Sequence, residues 1–120
     1  MKNLAPEIFR QRLLIEGFYT IEVTAETVKN YLLGLAAHLD LRTYGDPIVF
    51  APASGMGKED NAGFDAFVPL IDSGISAYIW SSARFFSVVL YTCKGFEPDQ
   101  ALTFTQEFFA AVSPLESLKF

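Results

Sequence analysis

The most constraining feature of this sequence is an alternating pattern that runs from Asp72 to Cys93 and is interrupted once by three small residues, SSA. Successive side chains of a β-strand point to opposite faces of a sheet, so the pattern predicts strands. The interruption at 81–83 predicts a tight turn into a second antiparallel strand, RFFSVVLYTC. Both faces carry large side chains, so we expect both to be covered. The first strand places Ile75, Ala77 and Ile79 on one face and Ser76, Tyr78 and Trp80 on the other.

Two segments have apolar residues at helical spacing. The first helix is predicted to begin after Thr24, a good N-cap, and to end near Asp40. The second spans Glu97–Val112, where proline and aspartate suit the first turn. The predicted buried stripes are Val28, Leu32, Leu35, Ala36 and Leu39 in the first helix, and Ala101, Leu102, Thr105, Phe108, Phe109 and Val112 in the second.

Three further strands are expected at Gln11–Thr20, Asp46–Pro52 and Phe64–Ile71. Pro69 cannot donate a ladder hydrogen bond, so it indicates an edge strand or a bulge. The order of elements predicts an α+β two-layer sandwich, a mainly antiparallel sheet with two helices on one face. By length, residues 1–120 are expected to form a single domain.

Charge and composition exclude several classes of partner. The formal charge is −5, without the basic stripe that nucleic acid requires. No apolar run is long enough for a membrane span or a signal peptide, and one cysteine forms no disulfide framework, so we expect a cytoplasmic protein. We expect no metal site. Twelve Phe leave more apolar surface than one small domain hides, which predicts a homodimer paired through a sheet face.

The polar loop Ala53–Gly63 contains the letters GMGK, which invite a phosphate-binding interpretation. A phosphate-binding loop of this type needs a serine or threonine after the lysine, and here Glu59 follows Lys58. Phosphate binding by this loop is therefore not expected.

The reactive side chains of the hairpin also have ordinary explanations. Taken alone, Ser73 is a turn serine, Cys93 a buried small apolar residue and Trp80 part of a core or an interface. Tyr78 and Asp65 fit a cleft or sheet packing equally well.

The order of elements and the hairpin residues resemble the bacterial S-adenosylmethionine decarboxylase family, small pyruvoyl-dependent enzymes of polyamine and spermidine biosynthesis. The resemblance runs from RLLIEGFY in the first strand to the last helix. Family members carry an acidic residue, the serine that becomes the pyruvoyl group, a strand ending in tryptophan and a strand ending in Thr-Cys. Here these residues are Asp72, Ser73, Trp80, Thr92 and Cys93, without a gap.

The resemblance implies autocatalytic cleavage between Asp72 and Ser73 and a pyruvoyl cofactor derived from Ser73. This group would capture the substrate amine as a Schiff base and accept electrons as carbon dioxide leaves. The substrate would be S-adenosylmethionine or a related amino acid such as ornithine or arginine. Cys93 would return a proton to the carbanion, and Trp80 and Ser82 would contribute to substrate binding.

The sequence also departs from the family pattern. Family members have a histidine directly after the serine and a second histidine, which serves processing, five residues after it; this chain has Gly74 and Tyr78 there. Asp65 replaces a family serine, and Ser82 replaces a glutamate. The only histidine, His38, lies on the first predicted helix.

Two functions therefore remain open. The first is a pyruvoyl-dependent decarboxylase in which Tyr78 or Asp65 accepts the Cα proton of Ser73 during processing. The second is a non-processing pseudoenzyme that binds a ligand or acts as a regulatory subunit of an active decarboxylase. Tyrosine and aspartate serve poorly as bases at neutral pH unless their pKa values shift, and this favours the second function.

Overall fold

The computed structural model of the chain describes residues 1–51 and 62–120. The predicted loop Ala53–Gly63, with its GMGK letters, lies outside these residues except at its C-terminal end. The elements of the described part are β1 (Gln11–Phe18), α1 (Ala25–His38), β2 (Ile48–Phe50), β3 (Gly63–Leu70), β4 (Ser73–Trp80), β5 (Phe85–Thr92), α2 (Pro98–Phe109) and β6 (Glu116–Lys119).

The strands form one antiparallel sheet in the order β2-β3-β4-β5-β1-β6. Both helices pack on the same face, and this confirms the predicted α+β two-layer sandwich. The sequence does not predict β6, because ESLK is short and lacks the alternation of a half-buried strand. Pairing with β1 forms this strand instead. That residues 1–120 are a single domain stays a prediction.

Both helix boundaries have local causes. Thr24 caps α1 as predicted, since its hydroxyl accepts the Thr27 N–H at 3.2 Å and its own N–H donates to the Thr27 hydroxyl at 3.0 Å. At the other end of the chain α2 stops at Phe109, because Ala110 takes a left-handed φ of 46°. Val112 is therefore exposed, and its predicted place in the buried stripe is wrong.

The core lies between the helices and the face of the sheet formed by every second strand residue. The predicted stripe of α1 is buried, and in α2 Ala101, Thr105 and Phe109 are buried while Leu102 and Phe108 are partly so. The apolar strand residues with less than 2% exposure are Leu13, Ile15, Val68, Ile75, Ala77, Phe86, Val88 and Leu90, and the polar Thr92 is fully buried beside them.

One polar pair joins the two helices inside this core. The hydroxyl of Tyr31 is 2.8 Å from Oγ1 of Thr105, and both residues are fully buried. Burial raises the pKa of Tyr31 well above its ordinary value, and the hydrogen bond to Thr105 lowers it only in part.

The sequence predicts an edge strand or a bulge at Pro69, and the edge alternative is wrong because β3 is an internal strand of the sheet. β3 pairs with β4 along its whole length, while β2 covers only the Asp65–Phe67 part of its other side. Pro69 lies beyond the end of β2, where its carbonyl accepts the N–H of Tyr44 at 2.9 Å. An isolated bridge joins Thr43 to Leu70 just beyond Pro69, so the missing amide hydrogen falls in a gap between two paired stretches.

The other face of the sheet, called the open face below, carries no helix in the described part of the chain. The expectation that both faces are covered is therefore wrong for a single chain. Cross-strand register assigns the exposed large side chains of this face to a common surface. They are Phe18, Ile48, Phe50, Phe67, Tyr78, Trp80, Tyr91 and Leu118.

Candidate functional site

The turn between β3 and β4 contains the bond at which the resemblance implies chain cleavage. β3 ends at Leu70 and β4 begins at Ser73, so Ile71 and Asp72 alone form the turn. Ser73 has a φ of 131°. This region is almost restricted to glycine, because a side chain there crowds the backbone. The backbone is therefore strained at Ser73 itself.

Asp72 is held at both its main chain and its side chain, and it is only 7% exposed. Its carbonyl oxygen accepts the backbone N–H of Cys93 at 2.8 Å. Its carboxylate accepts the backbone N–H of Arg42 at 3.4 Å, and Nη2 of Arg42 lies 3.6 Å from its Oδ1. The peptide bond between Asp72 and Ser73 is thus fixed in place by β5 and by the segment after α1.

Cys93 is exposed, so the ordinary explanation of a buried apolar residue is wrong. Thr92, directly before it, is fully buried and forms a register pair with Ser73. The thiol of Cys93 is therefore accessible directly beside the strained turn.

Two shallow depressions lie side by side on the open face. The first has a volume of about 300 Å³ and is lined by Ser73, Gly74, Val89 and Tyr91 together with two residues shared with the second. The second has a volume of about 190 Å³. The shared residues are Phe67 and Ser76, and the second depression is completed by Phe50, Asp65, Ala66 and Tyr78.

Asp65 and Tyr78 are direct register partners on β3 and β4, and both line the second depression. Tyr78 is five residues from Ser73 along β4, which corresponds to about 17 Å at the rise of a strand. The structure thus brings Asp72, Ser73 and Cys93 together, and Asp65 and Tyr78 together, as two separate groups.

Trp80 and Ser82 lie at the far end of the hairpin. Trp80 is the last residue of β4, and its ring centroid is 5.4 Å from that of Phe85. Ser82 lies in the exposed turn that follows. Neither residue adjoins Ser73, since the length of β4 separates them.

Gly74, which stands where the resemblance leads one to expect a histidine, is covered by the ring of Phe67. A Cβ atom built there would lie 2.5 Å from the ring of Phe67. Phe67 thus covers the glycine and forms the wall between the two depressions. An imidazole at position 74 would displace this ring.

Arg42, Phe67 and Tyr91 also shape this site, although the sequence alone assigns no role to them. Alternation along β3 and β5 could have indicated Phe67 and Tyr91, because each lies an even number of residues from other side chains of the open face on its strand. No local signal marks Arg42, which lies 30 residues from Asp72 in the chain.

The remaining candidate features concern a metal site, the histidine and the helices of residues 1–51 and 62–120. No group of three or more His, Cys, Asp or Glu side chains is arranged to hold a metal ion there. His38 lies at the end of α1, with its ring centroid 5.3 Å from that of Phe104. Among the helices of the described segments, none combines the length and the apolar character needed to cross a membrane.

Comparisons with known proteins identify the fold. No family model matches the sequence, and no curated protein matches it. Among solved structures, the chain is similar to the crystal structure of the adenosylmethionine decarboxylase from Aquifex aeolicus, with a TM-score of 0.68 and 16% sequence identity. The match covers 94% of this chain and 89% of that chain. The fold is therefore that of an S-adenosylmethionine decarboxylase.

Proposed function

We propose that this chain is a cytoplasmic S-adenosylmethionine decarboxylase-like protein of polyamine biosynthesis in which Ser73 is the precursor of a pyruvoyl group. The observation that carries the proposal is the geometry of the peptide bond between Asp72 and Ser73. The serine has a strained φ of 131°, and the preceding carbonyl is held by the N–H of Cys93 at 2.8 Å.

The strained φ of Ser73 and the hydrogen bond to the Asp72 carbonyl both favour the first step of self-processing. The Ser73 hydroxyl attacks the Asp72 carbonyl carbon, the C–N bond breaks, and the released amine takes the hydroxyl proton. Negative charge develops on the carbonyl oxygen, and the N–H of Cys93 already donates to that atom. The left-handed backbone raises the free energy of the intact peptide by about 1–3 kcal/mol, which the shift to an ester releases.

The second step removes the Cα proton of Ser73, so that the ester bond breaks, Asp72 leaves as a carboxylate and a dehydroalanine remains at the new N-terminus. The dehydroalanine tautomerises to an imine, which water hydrolyses to the pyruvoyl group with release of ammonia. Within one chain neither Asp65 nor Tyr78 reaches this proton, because about 17 Å of strand lies between. A role for either residue as the base therefore requires a second copy of the chain.

Once formed, a pyruvoyl group supplies an electrophilic carbonyl that draws electrons from a bound amino acid as carbon dioxide leaves. The residues around Ser73 fit the task of holding such a substrate. Phe67 and Tyr91 offer aromatic walls in the first depression, and the exposed thiol of Cys93 supplies a proton donor. We propose S-adenosylmethionine or a related amino acid as the substrate.

The intact mass of the purified protein tests this proposal. We expect two fragments divided between Asp72 and Ser73, the second blocked by a ketoacyl group, while Ser73→Ala stays a single chain. Cys93→Ser keeps the backbone N–H, so it should still be cleaved, but carbon dioxide release should fall. A wild-type chain that stays intact after long incubation contradicts pyruvoyl catalysis.

A second candidate function is a non-processing relative that binds a ligand or regulates an active decarboxylase. The observation in its favour is the Phe67 ring over Gly74, together with a single histidine that lies on α1. For this function, S-adenosylmethionine should bind the uncleaved wild-type chain in a calorimetric titration. The absence of heat and of any thermal shift would count against a retained ligand site.

We also propose that the chain is a homodimer paired through the open face. Eight exposed large side chains of the described residues lie together on this face, and large contiguous apolar patches mark interaction surfaces. Sedimentation velocity should show a dimer for the wild type and a monomer for Tyr78→Lys. Tyr44→Lys is the matched control, since Tyr44 is exposed but lies outside the strands. A monomeric wild type contradicts the pairing.

A further inference from the structure

The N-terminal arm, residues 1–10, and the start of β1 enclose a depression with a volume of about 230 Å³. Lys2, Arg10 and Arg12 all line it, together with Asn3. Three of the nine basic side chains of a chain with net charge −5 therefore converge on one small space. Among the described residues that line the depression there is no Asp or Glu.

The guanidinium groups are held in different ways. Nη2 of Arg10 donates to Oδ1 of Asn3, which also accepts the N–H of Ala5 at 3.1 Å. The guanidinium carbon of Arg12 lies 5.4 Å from the centroid of the Phe120 ring. These contacts orient both side chains before any ligand is present.

One donor of this cluster has no partner among the described residues. Nε of Arg12 is buried and has no hydrogen-bond partner within residues 1–51 and 62–120. In the same part of the chain the ion pairs are Arg42 with Asp72 and Lys94 with Asp40, so the basic cluster takes part in none. A buried, unpaired donor is unfavourable, and a ligand that draws the Arg12 guanidinium into the depression and accepts from it removes this cost.

We propose that Lys2, Arg10 and Arg12 form a binding site for a small oxyanion, the phosphate or carboxylate group of a soluble molecule. Guanidinium groups present planar pairs of donors that match the oxygen atoms of both anions. The site is separate from the pyruvoyl chemistry, although it adjoins the first depression. Arg12 pairs with Tyr91 on β5, and Tyr91 pairs with Gly74 on β4. Neighbouring strands lie about 5 Å apart, so the backbone of Arg12 is about 10 Å from that of Gly74.

Calorimetric titration of the full chain with inorganic phosphate, and separately with citrate, tests the site at constant ionic strength set with sodium chloride. We expect saturable binding of at least one of the two anions, and the stronger one identifies the preferred group. Arg12→Gln and Arg10→Gln should each weaken it roughly tenfold or more, and Arg12→Lys should weaken it less, because the charge remains while the planar pair of donors is lost.

Lys29→Gln on α1 is the matched control, because it removes the same charge far from the arm and should leave the affinity unchanged. Circular dichroism and thermal melting without anions check that each variant is folded. Lack of saturable binding of either anion overturns the site, as does equal affinity in Arg12→Gln and the wild type. Since binding is read out directly, its outcome does not depend on whether the chain is cleaved at Ser73.

Discussion

The two faces of the sheet are built from alternate residues of the same strands, yet they have different surroundings. On the face beneath the helices, apolar side chains are fully buried, and the one polar pair between helices, Tyr31 with Thr105, is satisfied. On the open face, Phe67, Tyr78 and Trp80 are each at least 36% exposed. The comparison teaches that one face supplies the stability of the fold, while the other is available for a ligand or a second copy.

The largest difference is expected when one phenylalanine is truncated on each face. Phe109 is fully buried and stacks on Phe86 with ring centroids 4.3 Å apart, so Phe109→Ala should lower the free energy of unfolding by about 3–5 kcal/mol. Phe67→Ala should cost at most about 2 kcal/mol, because Phe67 is 41% exposed. Urea unfolding under conditions in which the chain is monomeric measures both. Equal costs would contradict the division between the faces.

A smaller difference is expected between the polar pairs of the two faces. Tyr31→Phe leaves the Thr105 hydroxyl buried without a partner and should cost about 1–3 kcal/mol. The double variant with Thr105→Val should recover part of this loss. On the open face, the buried Ser87 donates at 2.7 Å to Glu16, which is itself partly exposed. Water can replace the lost donor at the Glu16 carboxylate, so Ser87→Ala should cost about 0.5–1 kcal/mol. Urea unfolding of the variants compares the two pairs; a larger cost for Ser87→Ala would reverse the expected order.

The buried tyrosine also gives the covered face a dependence on alkaline pH. The folded-state pKa of Tyr31 is raised above the ordinary value of about 10, so its contribution is fully present below that pH and is lost as pH rises further. Wild-type stability should therefore fall by up to about 1.4 kcal/mol per pH unit above pH 10 through this group. Unfolding measured from pH 8 to 11 should show a shallower decline for Tyr31→Phe, and parallel curves would contradict the assignment.

The features that could be predicted from the sequence depend on residues that are close to one another in the chain. The alternation of β4 and β5 and the Thr24 cap of α1 have local causes, so the pattern is sufficient to predict them. β6 is different, because its four exposed residues become a strand only through pairing with β1. Alternation also predicts that a strand has two faces, but it carries no information about what covers each face.

In the candidate site, too, some features are local in the sequence and others depend on how the strands pair. Ser73 and Cys93 are found from a resemblance in sequence order, which contains no distances. The strained φ of Ser73 and the hydrogen bond from Cys93 to the Asp72 carbonyl depend on the register of β4 against β5. The separation of Tyr78 from Ser73 has a local cause instead, because five residues of the extended strand β4 span about 17 Å.

The smallest expected effect concerns the strained turn between β3 and β4, where backbone conformation rather than burial decides the change in stability. Ser73→Gly should raise the free energy of unfolding by roughly 1 kcal/mol, because glycine adopts a φ of 131° without the crowding that a side chain causes. Part of this gain in stability is offset by the greater conformational entropy of glycine in the unfolded chain. Urea unfolding of the variant, compared with an uncleaved Ser73→Ala protein, measures the difference.

Ser76→Gly is the matched control for this prediction, because Ser76 lies in the middle of the same strand and has no positive φ. Here glycine brings only the entropic cost, so stability should fall by about 0.5–1 kcal/mol. Opposite signs for the two substitutions would locate the strain at the bond that the proposed processing cuts. If both serines responded alike, strain at Ser73 would contribute nothing to cleavage, and the acyl shift would depend on the Cys93 N–H alone.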